Sequence, residues 1–112
     1  VVHHFRPDKE KMRTFDAGPE STVRVADLIV AEQRNLSAGF TEYLKHSRLV
    51  WTFDYDEVFY MIEGFLEVHV EGDTPLRFEV GDLGFIEKGT TASIVVPRHA
   101  YLLHVTQPAW QA

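Results

Sequence analysis

Three aromatic rings and three carboxylates crowd one seven-residue stretch, Trp51-Thr52-Phe53-Asp54-Tyr55-Asp56-Glu57. Trp51, Phe53 and Tyr55 are spaced by two, so an extended chain carries them on one face. Such a face fills a core or forms the wall of a binding site, since rings bring large apolar area to both. Glu57 is the residue with the most chemical promise. A carboxylate turned into an apolar interior loses hydration, which raises its pKa and suits it to general acid or base work. Two other readings of Glu57 stand beside this one. It can accept a hydrogen bond from an indole or phenol, or face solvent if the strand register slips by one residue. Tyr55 and Asp56 flank it as further catalytic candidates, the phenol of Tyr55 donating to a substrate or to Glu57. Asp54, Asp56 and Glu57 together could gather a hard cation such as Mg²⁺, but alternating carboxylates on a strand face opposite ways, and a solvated acidic turn is the commoner explanation. A buried Trp51 would need an acceptor for its indole N–H, with Glu57 and Glu42 as candidates.

Other chemistry is sparse. His104 lies near the C-terminus with Leu102 and Thr106 on its face, either as hydrogen-bonded structure or as an imidazole facing a site. His3, His4, His46, His69 and His99 fall on an arm, in turns or on an exposed strand face, and are given no role. Lys88 sits in a turn, where it attracts an anion or simply solubilises. The glycine-rich loop ending in Lys-Ser/Thr that cradles nucleotide phosphates does not occur.

The elements that must position these residues read as strands. Candidates are Val23 to Ile29, Ala38 to Leu44, Arg48 to Phe53, Val58 to Ile62, Phe65 to Val70, Leu76 to Val80, Leu83 to Ile86, Ala92 to Val96 and Tyr101 to Thr106. Turn residues such as Glu71-Gly72-Asp73-Thr74-Pro75 and Gly81-Asp82 separate them. Many short strands with frequent turns predict an all-β sandwich or barrel. Leu66, Val68 and Val70 alternate with Glu67 and His69, and Leu76, Phe78 and Val80 with Arg77 and Glu79, the period of half-buried strands. Val25 to Glu32 has some helical propensity, but its β-branched residues favour strand. Residues 1–20 are expected as an N-terminal arm, and residues 21–112 as the one folded domain.

Composition narrows the function. A chain of 112 residues is one domain, and at this size roughly two thirds of the unfolded surface can be buried without staples. With no cysteine, disulfides, thiolate metal sites and a cysteine nucleophile are excluded. A net charge of -6 argues against nucleic acid, whose binding leans on Lys and Arg, and against an anionic membrane surface. No apolar run is long enough to span a bilayer, and the N-terminus lacks the apolar core of a secretion signal. A cytoplasmic protein is expected.

Two glycine-framed segments give the chain a family resemblance. Glu57 and Gly64 match the glutamate and glycine of the first cupin motif, while Trp51 and Phe53 occupy its two histidine positions. Gly81-Asp82-Leu83-Gly84-Phe85-Ile86-Glu87-Lys88-Gly89 matches the second motif, with Ala92 at its histidine position. Together with Leu36-Ser37-Ala38-Gly39-Phe40, Tyr55-Asp56 and the closing Pro108-Ala109-Trp110-Gln111, these segments resemble the cupin domain of the ethanolamine utilisation protein EutQ, over roughly Val23 to Gln111. Members of that group also lack the metal histidines.

The resemblance implies a cupin-type double-stranded β-helix, a jelly-roll barrel whose open end forms a pocket. It places Trp51 and Phe53 inside, with Asp54, Tyr43, Glu42 and His104 as further pocket candidates. Of Glu42 and Tyr43 one faces inward, and Tyr43 is favoured because it matches an aromatic position in the relatives. The resemblance further implies a homodimer, a setting in ethanolamine or acetyl-phosphate metabolism, acetate-kinase-type activity and association with bacterial microcompartments. In the relatives a further N-terminal region precedes the cupin domain, so activity or targeting that needs it is not assigned to these residues. No cofactor and no metal are expected, with Mg²⁺ entering only for phosphoryl chemistry. The alternatives are a non-catalytic cupin that binds an amine or other polar metabolite and, further off, a metal-dependent cupin enzyme.

Overall fold

The computed structural model describes residues 1–30 and 35–111. Among these residues a short 3-10 turn, Lys9–Lys11, precedes nine strands: β1 Arg13–Phe15, β2 Val23–Val30, β3 Ser37–Tyr43, β4 Ser47–Thr52, β5 Asp56–His69, β6 Leu76–Glu79, β7 Leu83–Ile86, β8 Thr91–Val96 and β9 Ala100–Gln107. Every pairing is antiparallel. The order β1-β2-β3-β9-β5-β8-β4, with β6 and β7 also on β5, makes one curled sheet. Its two halves fold face to face, which hides most edges.

β5 is the strand the halves share. Its first half pairs with β7 and β9, and its second with β6 and β8. The sequence predicts two strands here, Val58 to Ile62 and Phe65 to Val70, with Gly64 between them. The chain instead runs through as one strand of 14 residues. Two local devices bend it. The register with β9 shifts between Met61 and Glu63, and Gly64 takes φ +72°, a conformation that costs a side-chain-bearing residue. The bulge also switches which residues face the core. Phe59 and Met61 are buried before it and Leu66 and Val68 after it, so one strand serves both sheets without a turn.

The N-terminal arm expected over residues 1–20 is partly folded. β1 adds to the edge of β2, Met12 is buried, and Phe15 and Ala17 pack against the core. The β2 strand ends at Val30, and Ala31 and Glu32 of the predicted segment lie outside the described residues. β6 also departs from expectation. Leu76 and Val80 are exposed, and Phe78 alone packs inward, edge-on to Phe59 at 4.9 Å between ring centres. The far side of Phe59 lies over Gly84, where an added Cβ would meet the ring at 2.2 Å. Gly84 is therefore fixed by packing.

Candidate functional site

Between the two halves lies a cavity of about 70 Å³, counted as room for the centres of water molecules. That is space for a few waters or a ligand of a few heavy atoms. Tyr43, Trp51, Phe53, Tyr55, Glu57 and His104 of the predicted pocket all line it. Trp51 comes from the end of β4, while Phe53 and Tyr55 lie on the segment joining β4 to β5. The remaining wall is aliphatic and aromatic, with Thr41 as a further polar group. Phe15 and Trp110 complete the aromatic end, their rings edge-on at 5.3 Å, with Phe15 and Trp51 at 5.8 Å. Neither Phe15 nor Trp110 is a pocket candidate from sequence, because β1 and the C-terminal segment reach the cavity only through tertiary packing.

Glu57 faces this interior. Burial pushes its carboxyl up to about 7, with the charge of His104 pulling the other way. Near neutral pH the cavity therefore holds a carboxyl group that can be either protonated or charged. Burial, followed by the charge of Glu57, raises the phenol of Tyr43. Tyr55 is raised for the same two reasons. Both phenols stay protonated and can donate. The indole N–H of Trp51 donates to the Tyr55 hydroxyl at 2.8 Å, which replaces Glu57 and Glu42 as its expected acceptor and leaves the Glu57 carboxyl free of that bond.

A second polar group faces the cavity from β9. His104 is 3% exposed, with Nδ1 2.8 Å from the Thr41 hydroxyl. Its Nε2 is buried, with no hydrogen-bond partner among the described residues, and lies 3.6 Å from Oδ1 of Asp27, beyond hydrogen-bond range. The register of β2 with β3 shifts between Asp27 and Ile29, and Asp27 is turned against His104 there. The Trp110 indole donates to the same Oδ1 at 2.9 Å. Burial pushes the Asp27 carboxyl up, but His104, Trp110 and Gln111 outweigh it and hold it below the usual carboxylate range. Asp27 was not among the sequence candidates. The available signal was a lone carboxylate inside the apolar run Val23–Val30.

Three predicted site residues fall elsewhere. Asp54 and Asp56 are exposed, and Asp56 accepts from the Lys88 backbone N–H at 2.8 Å, bracing a turn. With Glu57 facing inward and both aspartates outward, the three carboxylates do not converge. Glu42 is buried but on the opposite face of β3 from Tyr43, as alternation requires. Arg24 donates to its Oε1, His99 bonds its Oε2 at 2.7 Å, and Lys9 stands 3.3 Å from it. Burial pushes Glu42 up, but these partners bring it down to about 2. Lys9 also bonds Glu63 at 2.8 Å and lies over the Tyr101 ring, so the N-terminal segment is pinned to the outside of the sheet. His99, given no role from sequence, is part of this cluster. Among the described residues, Glu42, Glu63 and His99 are the group that brings three metal-type ligand atoms within 4.8 Å of one another, and the Lys9 ammonium already sits against two of them. At the usual cupin metal position the donors do not fit a transition ion, because Trp51, Phe53 and Ala92 offer rings and a methyl where imidazoles would be needed.

The curled antiparallel sheet, with a cavity between its halves, is that of a cupin. A cupin described as RmlC-like from Shewanella frigidimarina superposes with a TM-score of 0.69 at 22% identity, covering 96% of this chain and 93% of that one. The chain belongs to the family described as ethanolamine utilisation protein EutQ, whose model matches residues 2–112. The acetate kinase EutQ of Clostridioides difficile is 34% identical over 101 residues, 89% of this chain and 63% of that protein. A crystal structure of a putative ethanolamine utilisation protein Q from Salmonella typhimurium has a TM-score of 0.78 at 31% identity, covering 91% of this chain and 84% of that one. The chain spans between 44% and 63% of the length of the curated relatives it matches. Among the described residues, no helix is long and apolar enough to cross a membrane.

Proposed function

We propose that this cupin binds a small amine, held as its ammonium ion with Glu57 as counter-charge. The observation that carries this reading is a ring-lined cavity on which, among the described residues, one carboxylate and no lysine or arginine opens. Trp51 and Tyr55 line the same cavity, and the face of such a ring attracts a cation. The free space suits a molecule of a few heavy atoms, and ethanolamine is the natural candidate given the family description. In a thermal melt, ethanolamine at about 100 times its Kd should raise the wild-type midpoint on the order of 10 °C, because it binds the folded state alone. Glu57→Gln should show no such rise. An equal rise in the variant, or none in the wild type, removes the reading.

The relatives' name, acetate kinase EutQ, supports a second reading, acetate-kinase-type activity with Mg²⁺. Phosphoryl transfer needs positive groups around the phosphoryl oxygens, and the described cavity wall supplies none, so the residues favour binding. Ethanolamine metabolism in the bacterial cytoplasm, with microcompartment association, is the setting we assign. The family description, ethanolamine utilisation, supports the metabolic part of this setting.

We assign a second copy of the chain as partner. Val58 pairs with Phe85 and Tyr60 with Leu83 across β5 and β7, and all four face outward, Leu83 and Phe85 at 67% and 62% exposure. An uncharged strip of this kind marks an interaction surface. It also offers two chains of net charge -6 a place to meet without opposing like charges, in a two-fold contact that matches the strip to itself. Sedimentation should show a wild-type dimer and a Phe85→Glu monomer. A wild-type monomer, or an unaltered dimer in the variant, refutes this surface.

A further inference from the structure

We infer that the cavity is entered through a gate formed by the rings of Phe15 and Trp110, carried on β1 and on the segment after β9 and latched together at Asp27. This inference deepens the amine reading by saying how its site is entered, and rests on that reading for the ligand.

The burial of the lining shows where the cavity meets the surface. Among the described lining residues, every ring and aliphatic side chain is buried except Phe15, Trp51 and Trp110. These three are neighbours, with Phe15 in the middle, edge-on to Trp110 at 5.3 Å and to Trp51 at 5.8 Å. Thr41 and Glu57 are partly exposed as well, but they stand inside β3 and β5 and are paired on both sides. Trp51 is held by its bond to Tyr55. Phe15 and Trp110 sit on the less firmly held pieces. β1 has three residues and, among the described residues, pairs with β2 alone. Trp110 lies beyond the end of β9, its backbone N–H donating to the Thr106 hydroxyl at 3.1 Å.

Asp27 ties these two pieces to β2. Its Oδ1 accepts the Trp110 indole N–H at 2.9 Å, and the Gln111 side chain bonds the same carboxylate. Its Oδ2 faces the Arg13 guanidinium of β1 at 3.5 Å. One carboxylate therefore holds the segment of each gate ring, and the contact between Phe15 and Trp110 joins them directly. Segments with few buried contacts open at a fraction of the cost of global unfolding. Opening this one uncovers Trp51 and the cavity behind it while the paired strands stay closed.

Hydrogen exchange on the whole unliganded chain tests the gate. The Trp110 indole N–H and the β1 amides should be protected at least about tenfold less than the amides of β5 and β9. Arg13→Ala alters a side chain that is 76% exposed and, among the described residues, makes no listed bond to Trp110. It should nevertheless speed exchange of the Trp110 indole together with β1, by about twofold, the scale of an exposed ion pair. Asp27→Asn should speed both by about tenfold, as a charge-assisted bond is weakened, with β5 and β9 unmoved. A Trp110 indole as protected as β5, or one that does not respond to Arg13→Ala, overturns the gate. In stopped-flow mixing with ethanolamine, Asp27→Asn should raise the association and dissociation rates by the same factor and leave Kd unchanged. Unaltered rates there also overturn it. If ethanolamine does not bind, the amine reading falls and the exchange results still decide the gate. Because Arg13→Ala changes only an exposed group, a failure of Asp27→Asn to fold does not obscure the answer.

Discussion

A Glu57→Gln chain should be more stable than the wild type above pH 7, by up to about 3 kcal/mol, and should lose that advantage near pH 4.5. Burial raises the native Glu57 carboxyl from 4.5 to about 7. Between those values the unfolded chain has released its proton and the native chain still holds it. The unfolded state then binds fewer protons, so wild-type stability falls as pH rises through this window and levels off above pH 7. Glutamine mimics the neutral acid and has no such slope. Glu42 acts with the opposite sign. Its buried carboxyl is brought down to about 2 by His99, Arg24 and Lys9, so its contribution is present above pH 4.5 and is lost as pH falls towards 2. That contribution is common to both chains and cancels in their difference. Urea melts from pH 4 to 8 would measure the difference, and a constant value across the range would show that Glu57 is hydrated like a surface carboxylate.

Gly64→Ala should cost more than about 3 kcal/mol or prevent folding. The left-handed backbone alone costs an alanine about 1–2 kcal/mol. Here an added Cβ would also stand 1.9 Å from the His99 carbonyl oxygen, so β5 and the His99–Ala100 segment would have to separate. Gly72→Ala is the matched control. Gly72 has φ +86° with nothing within 4 Å of the added atom, so it should lose only the backbone part. If denaturation gives the two variants equal losses, β5 does not bend as described.

Much of the barrel is legible in the sequence because period-two alternation and turn residues are local signals. β3, β4, β7, β8 and β9 fall within about two residues of expectation. Gly64 misleads because a glycine between two apolar runs looks like a break, while the bulge beside it keeps the strand paired. β1 leaves almost no trace. Only Phe15 of its three residues is apolar, and its place is set by β2 and by the rings of Trp51 and Trp110. The ring-lined wall was visible in the spacing of Trp51, Phe53 and Tyr55. Asp27 was not, because its orientation depends on a register shift that alternation cannot encode. Of Glu42 and Tyr43, alternation lets only one face inward, and the pleat sends Tyr43 to the cavity, the one the resemblance favours.

Both tryptophans of the chain, Trp51 and Trp110, line the one cavity, each with its indole nitrogen bonded to a named acceptor. The native ultraviolet emission of this protein consequently arises beside its binding space. Occupancy can be followed in unlabelled protein by the colour and intensity of that light, with no fluorophore to graft and no other indole to dilute the signal.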